Sequence, residues 1–303
     1  MLIRILNETL KNAILKTPVD RINEIRIRLN KKIIVTIDNK SYYLSQDGLS
    51  SKEERAIVCD SETIEFIIKR ACENSVYAYT DQIKNGYITT KGGIRIGLAG
   101  EGVIDKNQIK NLKNISSLVI RIPKEVKGCS SEIMGYLTRE EFMNTLIVSP
   151  PGCGKTTMIR DIIYQLSNKN YCYNVLLIDE KYEIANCFNG TPLLDVGNFC
   201  DVLSGVPKWY GFDVGIKNLK PDIIVTDEIG SEKDCDSIFR ASTSGIKILA
   251  SVHASNIEDV AKKEEFEKLI RNKVFKRFVI LSSNNGPGSI VGVYDENMRY
   301  ISY

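Results

Sequence analysis

The sequence predicts an α/β protein in two parts. A smaller α+β domain spans residues 1–135, and a domain built on a mainly parallel sheet spans 136–303. Three observations carry this prediction. Beyond residue 140, short runs of β-branched residues and leucine alternate with amphipathic segments, the pattern of strands buried on both faces. The first of those runs leads through a glycine loop into a segment with helical periodicity. The first half instead has short alternating runs joined by turn residues, as expected of antiparallel hairpins.

In chain order, residues 1–20 read as a short helix ending near Pro18. Ile22, Ile25, Ile27 and Leu29 interleave with Glu24, Arg26 and Arg28, a half-exposed strand. A second strand is expected over 32–38, and a turn at Asp38, Asn39 and Lys40 leads to a third at 42–44. Ile64, Ile67, Ile68, Ala71 and Cys72 mark one face of a helix over 61–73, capped by Asp60 or Ser61. Runs 86–90 and 94–104 flank Lys91-Gly92-Gly93 as a hairpin, and 118–122 is one more strand before Pro123. Pro123, Gly128, Ser130 and Ser131 interrupt the periodicity over 123–140 and mark the domain boundary. Beyond it, strands are expected at 146–149, 175–179, 223–227, 246–252, 276–282 and 289–294, with helices at 156–166, 231–243 and 257–271.

Composition narrows the function. The 41 Lys+Arg against 38 Asp+Glu leave a charge of +3, which argues against a bulk nucleic-acid binder, and no nucleic-acid partner is expected. Hydrophobic residues at 43% exclude whole-chain disorder. No window offers the ~18 uninterrupted apolar residues of a membrane span. The N-terminal stretch is broken by Arg4, Glu8, Lys11 and Lys16, so a signal peptide is not expected there. Eight cysteines without a CxxC pair point to a reducing compartment, and a single histidine rules out a multi-histidine metal centre.

The strongest chemical signal is Ser149-Pro150-Pro151-Gly152-Cys153-Gly154-Lys155-Thr156-Thr157, between a strand and a helix. A phosphate cradle needs glycines that turn successive N–H groups inward, a helix N-terminus, a lysine for the β/γ-phosphates and a hydroxyl for Mg²⁺. Gly152, Gly154, Lys155 and Thr156 supply these, although Ser149 stands where the usual pattern has its first glycine. Downstream, the apolar run 223–226 ends in Asp227-Glu228, an acid for the Mg²⁺ shell followed by one that can polarise water. Asp227-Glu228-Ile229-Gly230 also fits the D-x-x-G of GTPases, but no N-K-x-D accompanies it, so ATP is the expected nucleotide. A third run ends in Asp179-Glu180-Lys181-Tyr182-Glu183, which alone reads as a solvated acidic turn. His253 ends another strand, on the side where open α/β sheets bind ligands.

In this order the four elements resemble the type II/type IV secretion ATPase superfamily, with its Walker A loop, acidic box, Walker B and histidine box. Residues 243–254, TSGIKILASVHA, resemble a complete histidine box. The segments EIRIR (24–28), RIGLAG (95–100), ISSLVIRI (115–122) and DVG (195–197), with the Pro-Pro loop, are similar to the branch tied to stage III of sporulation in endospore-forming bacteria. The resemblance covers nearly the whole chain and implies a RecA-like P-loop ATPase using ATP and Mg²⁺. It assigns Lys155 and Thr156 to Walker A, Thr156 and Asp227 to the metal, Glu228 to Walker B and His253 to the histidine box. It gives Asp179, Glu180 and Glu183 to the acidic box, and suggests Arg95 and Arg121 as arginines that reach nucleotide across subunits. It further implies a hexameric ring, cytoplasmic and peripheral on the mother-cell face of the membrane, held through membrane proteins of a stage III sporulation complex. The rival expectation is an assembly factor that binds ATP without productive turnover, against which Glu228 argues.

Overall fold

The fold is that of a computed structural model, which describes residues 2–38, 40–105, 108–123, 125–168, 171–284 and 286–302. The chain divides into two compact units, 1–124 and 125–303. The division lies inside the interval marked by Pro123 and Gly128, but earlier than residue 135. The segment 125–135 goes with the second unit because Ile133, Met134 and Leu137 of a helix there are buried in that unit's core.

The first unit opens with α1 (Leu2–Ile5) and α2 (Glu8–Leu15) rather than one helix. Asn7 makes the break: its side-chain oxygen accepts from the Leu10 N–H at 3.0 Å and caps α2. The strands are β1 (Ile22–Arg28), β2 (Ile34–Ile37), β3 (Lys40–Ser45) and β4 (Gly48–Ser50), then β5 (Tyr87–Thr89), β6 (Arg95–Asp105) and β7 (Gln108–Arg121). The expected turn at 38–40 centres on Asn39, which lies outside the described residues. Helix α3 (Ser61–Ala71) forms as expected, with Asp60 accepting from the Thr63 N–H at 2.8 Å, and α4 (Thr80–Lys84) follows it. The sheet order is β4-β3-β2-β1-β7-β6-β5, antiparallel throughout. Strand β7 starts well before the expected residue 118. Its first half pairs with the far half of β6 as a ribbon exposed to solvent, so no apolar alternation marks it.

In the second unit, α5 (Ser131–Leu137) precedes β8 (Thr145–Ser149), α6 (Lys155–Leu166), β9 (Val175–Asp179), β10 (Cys200–Ser204) and α7 (Lys208–Val214). Then come β11 (Ile223–Thr226), α8 (Glu232–Thr243), β12 (Lys247–His253), α9 (Ile257–Ala261), α10 (Glu267–Arg271), β13 (Arg277–Ser282), β14 (Ser289–Tyr294) and β15 (Tyr300–Ser302). The sheet runs β10-β9-β11-β12-β8-β13-β14-β15; all pairs from β10 to β13 are parallel, and β14 and β15 close it antiparallel. Alternate residues of the parallel strands face opposite cores. Ile147, Leu177, Val225 and Leu249 pack with Ile159, Ile162 and Ile163 of α6, while Leu146, Leu176, Ile224 and Ile248 pack with Ile238 of α8 and Phe266. Burial on both faces explains the unbroken apolar runs in the sequence. The helix expected over 257–271 is interrupted at Lys262-Lys263 and resumes through a 3₁₀ turn at Glu264–Phe266 that seats Phe266 in the core.

Candidate active site

Strand order decides what meets at the C-terminal edge of the second sheet. Strand β12 lies between β8 and β11, and His253 is the register partner of Ser149, where β8 gives way to the glycine loop. Thr226 at the end of β11 is the partner of Ala250, which sets Asp227 and Glu228 beside Ser251. Three sequence-distant signals thus become neighbours through parallel pairing alone.

The loop after β8 has the backbone that a phosphate cradle needs. Gly152 and Gly154 have φ of +76° and +81°. At Gly154 space matters as well, since an added Cβ would stand 2.7 Å from the Gly288 nitrogen and 3.0 Å from the Pro287 carbonyl carbon. The Gly288 N–H donates to the Cys153 carbonyl at 2.7 Å, so the turn before β14 braces the loop from outside. Gly154→Ala is therefore expected to displace the loop; for the ATP site expected from the sequence, a fluorescent-nucleotide titration should then show binding at least about tenfold weaker, and a curve matching wild type would refute this. Ser149 is fully buried, and its hydroxyl donates to the Pro150 carbonyl at 2.9 Å, a local use for the residue that replaces glycine. Thr156 and Thr157 are half-buried in the first turn of α6.

Lys155 opens α6 with only 7% of its surface exposed. Burial lowers its pKa, while the charges of Asp227, Glu228 and Glu183 act in the opposite direction. Its Nζ lies 3.3 Å from both ring nitrogens of His253. His253 Nε2 is 3.0 Å from Glu228 Oε1, and Lys181 Nζ is 2.6 Å from Glu228 Oε2. With the proton on Nε2, the imidazole donates to Glu228 while Nδ1 accepts from Lys155. The hydrogen bond from Lys181, with help from the Lys181 and Lys155 charges, holds the Glu228 carboxyl below the usual range despite partial burial. Ser251 fixes the backbone beneath: its hydroxyl donates to Asp227 Oδ1 at 2.5 Å and accepts from the Glu228 N–H at 2.9 Å.

The acidic run after β9 spreads its side chains over three settings. Asp179 is 1% exposed, and its oxygens accept from the N–H groups of Glu183 (2.9 Å), Ile184 (3.2 Å) and Ala185 (2.9 Å). Burial nonetheless raises its pKa. Its carboxylate builds the loop. Glu180 pairs with the buried Lys208 ammonium at 2.6 Å, tying the loop to the start of α7. Glu183 is exposed, and its charge is felt at both Lys155 and Lys181. Arg95 and Arg121 are register partners on β6 and β7 in the first unit. The Arg95 guanidinium sits 4.5 Å above the Tyr87 ring, and Arg121 Nε lies 3.6 Å from Glu24 Oε2.

Sequence patterns thus find Lys155, Asp227, Glu228 and His253 as one cluster, and miss Lys181, Ser251 and Arg160. Arg160 is buried on α6 and donates to the carbonyls of Ile184 (2.5 Å) and Glu183 (2.9 Å). An arginine amid the apolar positions of 156–166 is the one signal that could have pointed to it. Thr156 and Asp227 offer a hydroxyl and a carboxylate, hard oxygen donors of the kind Mg²⁺ takes beside phosphate and water. Among the described residues no cluster of three or more His, Cys, Asp or Glu side chains forms a protein-only metal cage.

Residues 1–301 match the family model described as sporulation stage III, protein AA. The chain belongs to this family. A stage III sporulation protein AA from Bacillus subtilis (strain 168) is 32% identical over 304 residues, 98% of this chain and 95% of that protein. Among solved structures, the Yersinia pseudotuberculosis ATPase DotB matches with a TM-score of 0.62 at 14% identity, over 95% of this chain and 79% of that one. The pilus retraction motor PilT, solved with bound ADP, matches with a TM-score of 0.57 at 13% identity, over 90% of this chain and 76% of that one. At those identities the likeness shows that this family member shares an α/β fold with DotB and PilT.

Proposed function

We propose that the chain is an ATP-hydrolysing ATPase that powers or gates a membrane-associated transenvelope complex between mother cell and forespore. The observation that carries this is the convergence of Lys155, His253 and Glu228 at the glycine loop, from three adjacent strand ends. The loop N–H groups and Lys155 take the triphosphate. Thr156 and Asp227 hold Mg²⁺, which when bound neutralises charge on the phosphates. Glu228 orients the attacking water: a carboxylate has about four acceptor sites, and His253 and Lys181 occupy one on each oxygen. Fixed charges of this kind each remove roughly 3–4 kcal/mol from a barrier.

The fold shared with DotB and PilT supports an oligomeric motor, here a homo-hexameric ring in which Arg95 and Arg121 complete a neighbour's site. No helix among the described residues is long and apolar enough to cross a membrane, so a protein partner at the cytoplasmic, mother-cell face is the simplest anchor. Phosphate release per subunit is expected to rise with protein concentration and then level off. Subunits lacking Arg95 or Arg121, mixed with Glu228→Gln subunits, should regain activity. Hetero-oligomers that form without regaining it would remove the arginines from the mechanism.

A further inference from the structure

We propose that Lys181, which lies within the acidic run after β9 but is given no role there, is the positioning residue for Glu228, an inference that rests on the ATPase reading above. Lys181 Nζ is 2.6 Å from Glu228 Oε2, on the side of the carboxylate opposite His253. An ion pair with the lysine half-exposed adds little to stability, so its effect lies in where it leaves the carboxylate.

The lysine stands on a braced loop. Asp179 gathers the N–H groups of Glu183, Ile184 and Ala185 from within, and Arg160 of α6 takes the carbonyls of Glu183 and Ile184. Tyr182, directly after Lys181, has φ +58°, and its hydroxyl lies 2.0 Å from where a Cβ on residue 205 would stand, room that only Gly205 leaves. The Gly205 N–H in turn donates to the Asp179 carbonyl at 3.1 Å. Because Arg160 belongs to the helix that Lys155 opens, the loop carrying Lys181 is keyed to the phosphate-binding helix. Glu228 is thus held between a cation on one braced loop and an imidazole on a central strand, the preorganisation that in-line water attack requires.

The test uses the full-length Lys181→Gln and Lys181→Arg variants, with wild type and Lys155→Ala as references. Each is measured for kcat, KM for ATP, affinity for a fluorescent ATP analogue and melting temperature. For Lys181→Gln, kcat is expected to fall about tenfold, part of the roughly hundredfold that a full 1 Å misplacement costs, with KM, affinity and melting temperature near wild type. Lys181→Arg should restore most of the rate. An unchanged or raised kcat in the glutamine variant would overturn the proposal. So would a loss of affinity at constant kcat, which would make Lys181 a nucleotide ligand, or an arginine variant no better than glutamine. A wild-type chain that releases no more phosphate than Lys155→Ala would instead overturn the ATPase reading itself, and the role of Lys181 with it.

Discussion

Lys155→Ala is expected to bind ATP too weakly to saturate and to lose roughly three orders of magnitude in turnover. The ammonium is nearly buried, yet three carboxylates, Asp227, Glu228 and Glu183, favour its charged form against the desolvation that lowers its pKa. Triphosphate binding would place further negative charge where Lys155 already serves as the counter-charge to Asp227 and Glu228. Without the ammonium, both sets of anions face each other with only solvent to screen their repulsion. His253 would also lose the cation 3.3 Å from its ring. A titration with a fluorescent ATP analogue and a phosphate-release assay check both halves. An affinity within about twofold of wild type would show that the glycine loop does not hold the phosphates.

Glu228→Gln separates binding from chemistry. The amide matches the carboxylate in shape, and its carbonyl can still accept from Lys181, but it cannot take a proton or polarise water strongly. Nucleotide affinity should stay near that of wild type while turnover falls roughly a hundredfold, the ordinary loss of a general base. The backbone should be undisturbed, because the 228 N–H is held by Ser251 Oγ and Asp227 Oδ1 and neither bond involves the side chain. Loss of binding together with turnover would mark Glu228 as a structural carboxylate.

The centre of the second sheet is legible in the sequence because burial on both faces forces unbroken apolar runs, as at 146–148, 175–178 and 223–225. Its edge is not. Strand β10, Cys200-Asp201-Val202-Leu203-Ser204, is only half-buried and lacks an unbroken apolar run that would mark it. In the first unit, the outer half of β7 carries Lys110, Asn111, Lys113 and Asn114 because both its faces meet water, so its sequence has no period to find. At the site, Lys155 is legible from its glycine loop, and Asp227, Glu228 and His253 because each stands at or just past a strand end in a recognisable setting. Ser251 and Lys181 are not, since their partners lie 24 and 47 residues away and only the order of the strands brings them close. Asp179 shows the opposite limit. Its position at a strand end is plain, but whether such an acid turns outward to a ligand or inward to its own loop depends on hydrogen bonds that no local pattern encodes.

Glu228 has a backbone φ of +40°, in the left-handed region that side chains with a Cβ adopt at a cost of about 1–2 kcal/mol. A glycine would rest there without strain, and asparagine nearly so. The chain keeps a glutamate where its own backbone prefers neither the residue nor the shape, a local frustration that the bonds to Ser251 and Asp227 hold in place. Sequence drift toward thermal robustness would therefore erode this position early and silence the chemistry while the fold improved. On the proposed function, a small residue at 228 among descendants of this chain would signal that hydrolysis had been given up for a passive role, and an acid would signal continued selection on turnover.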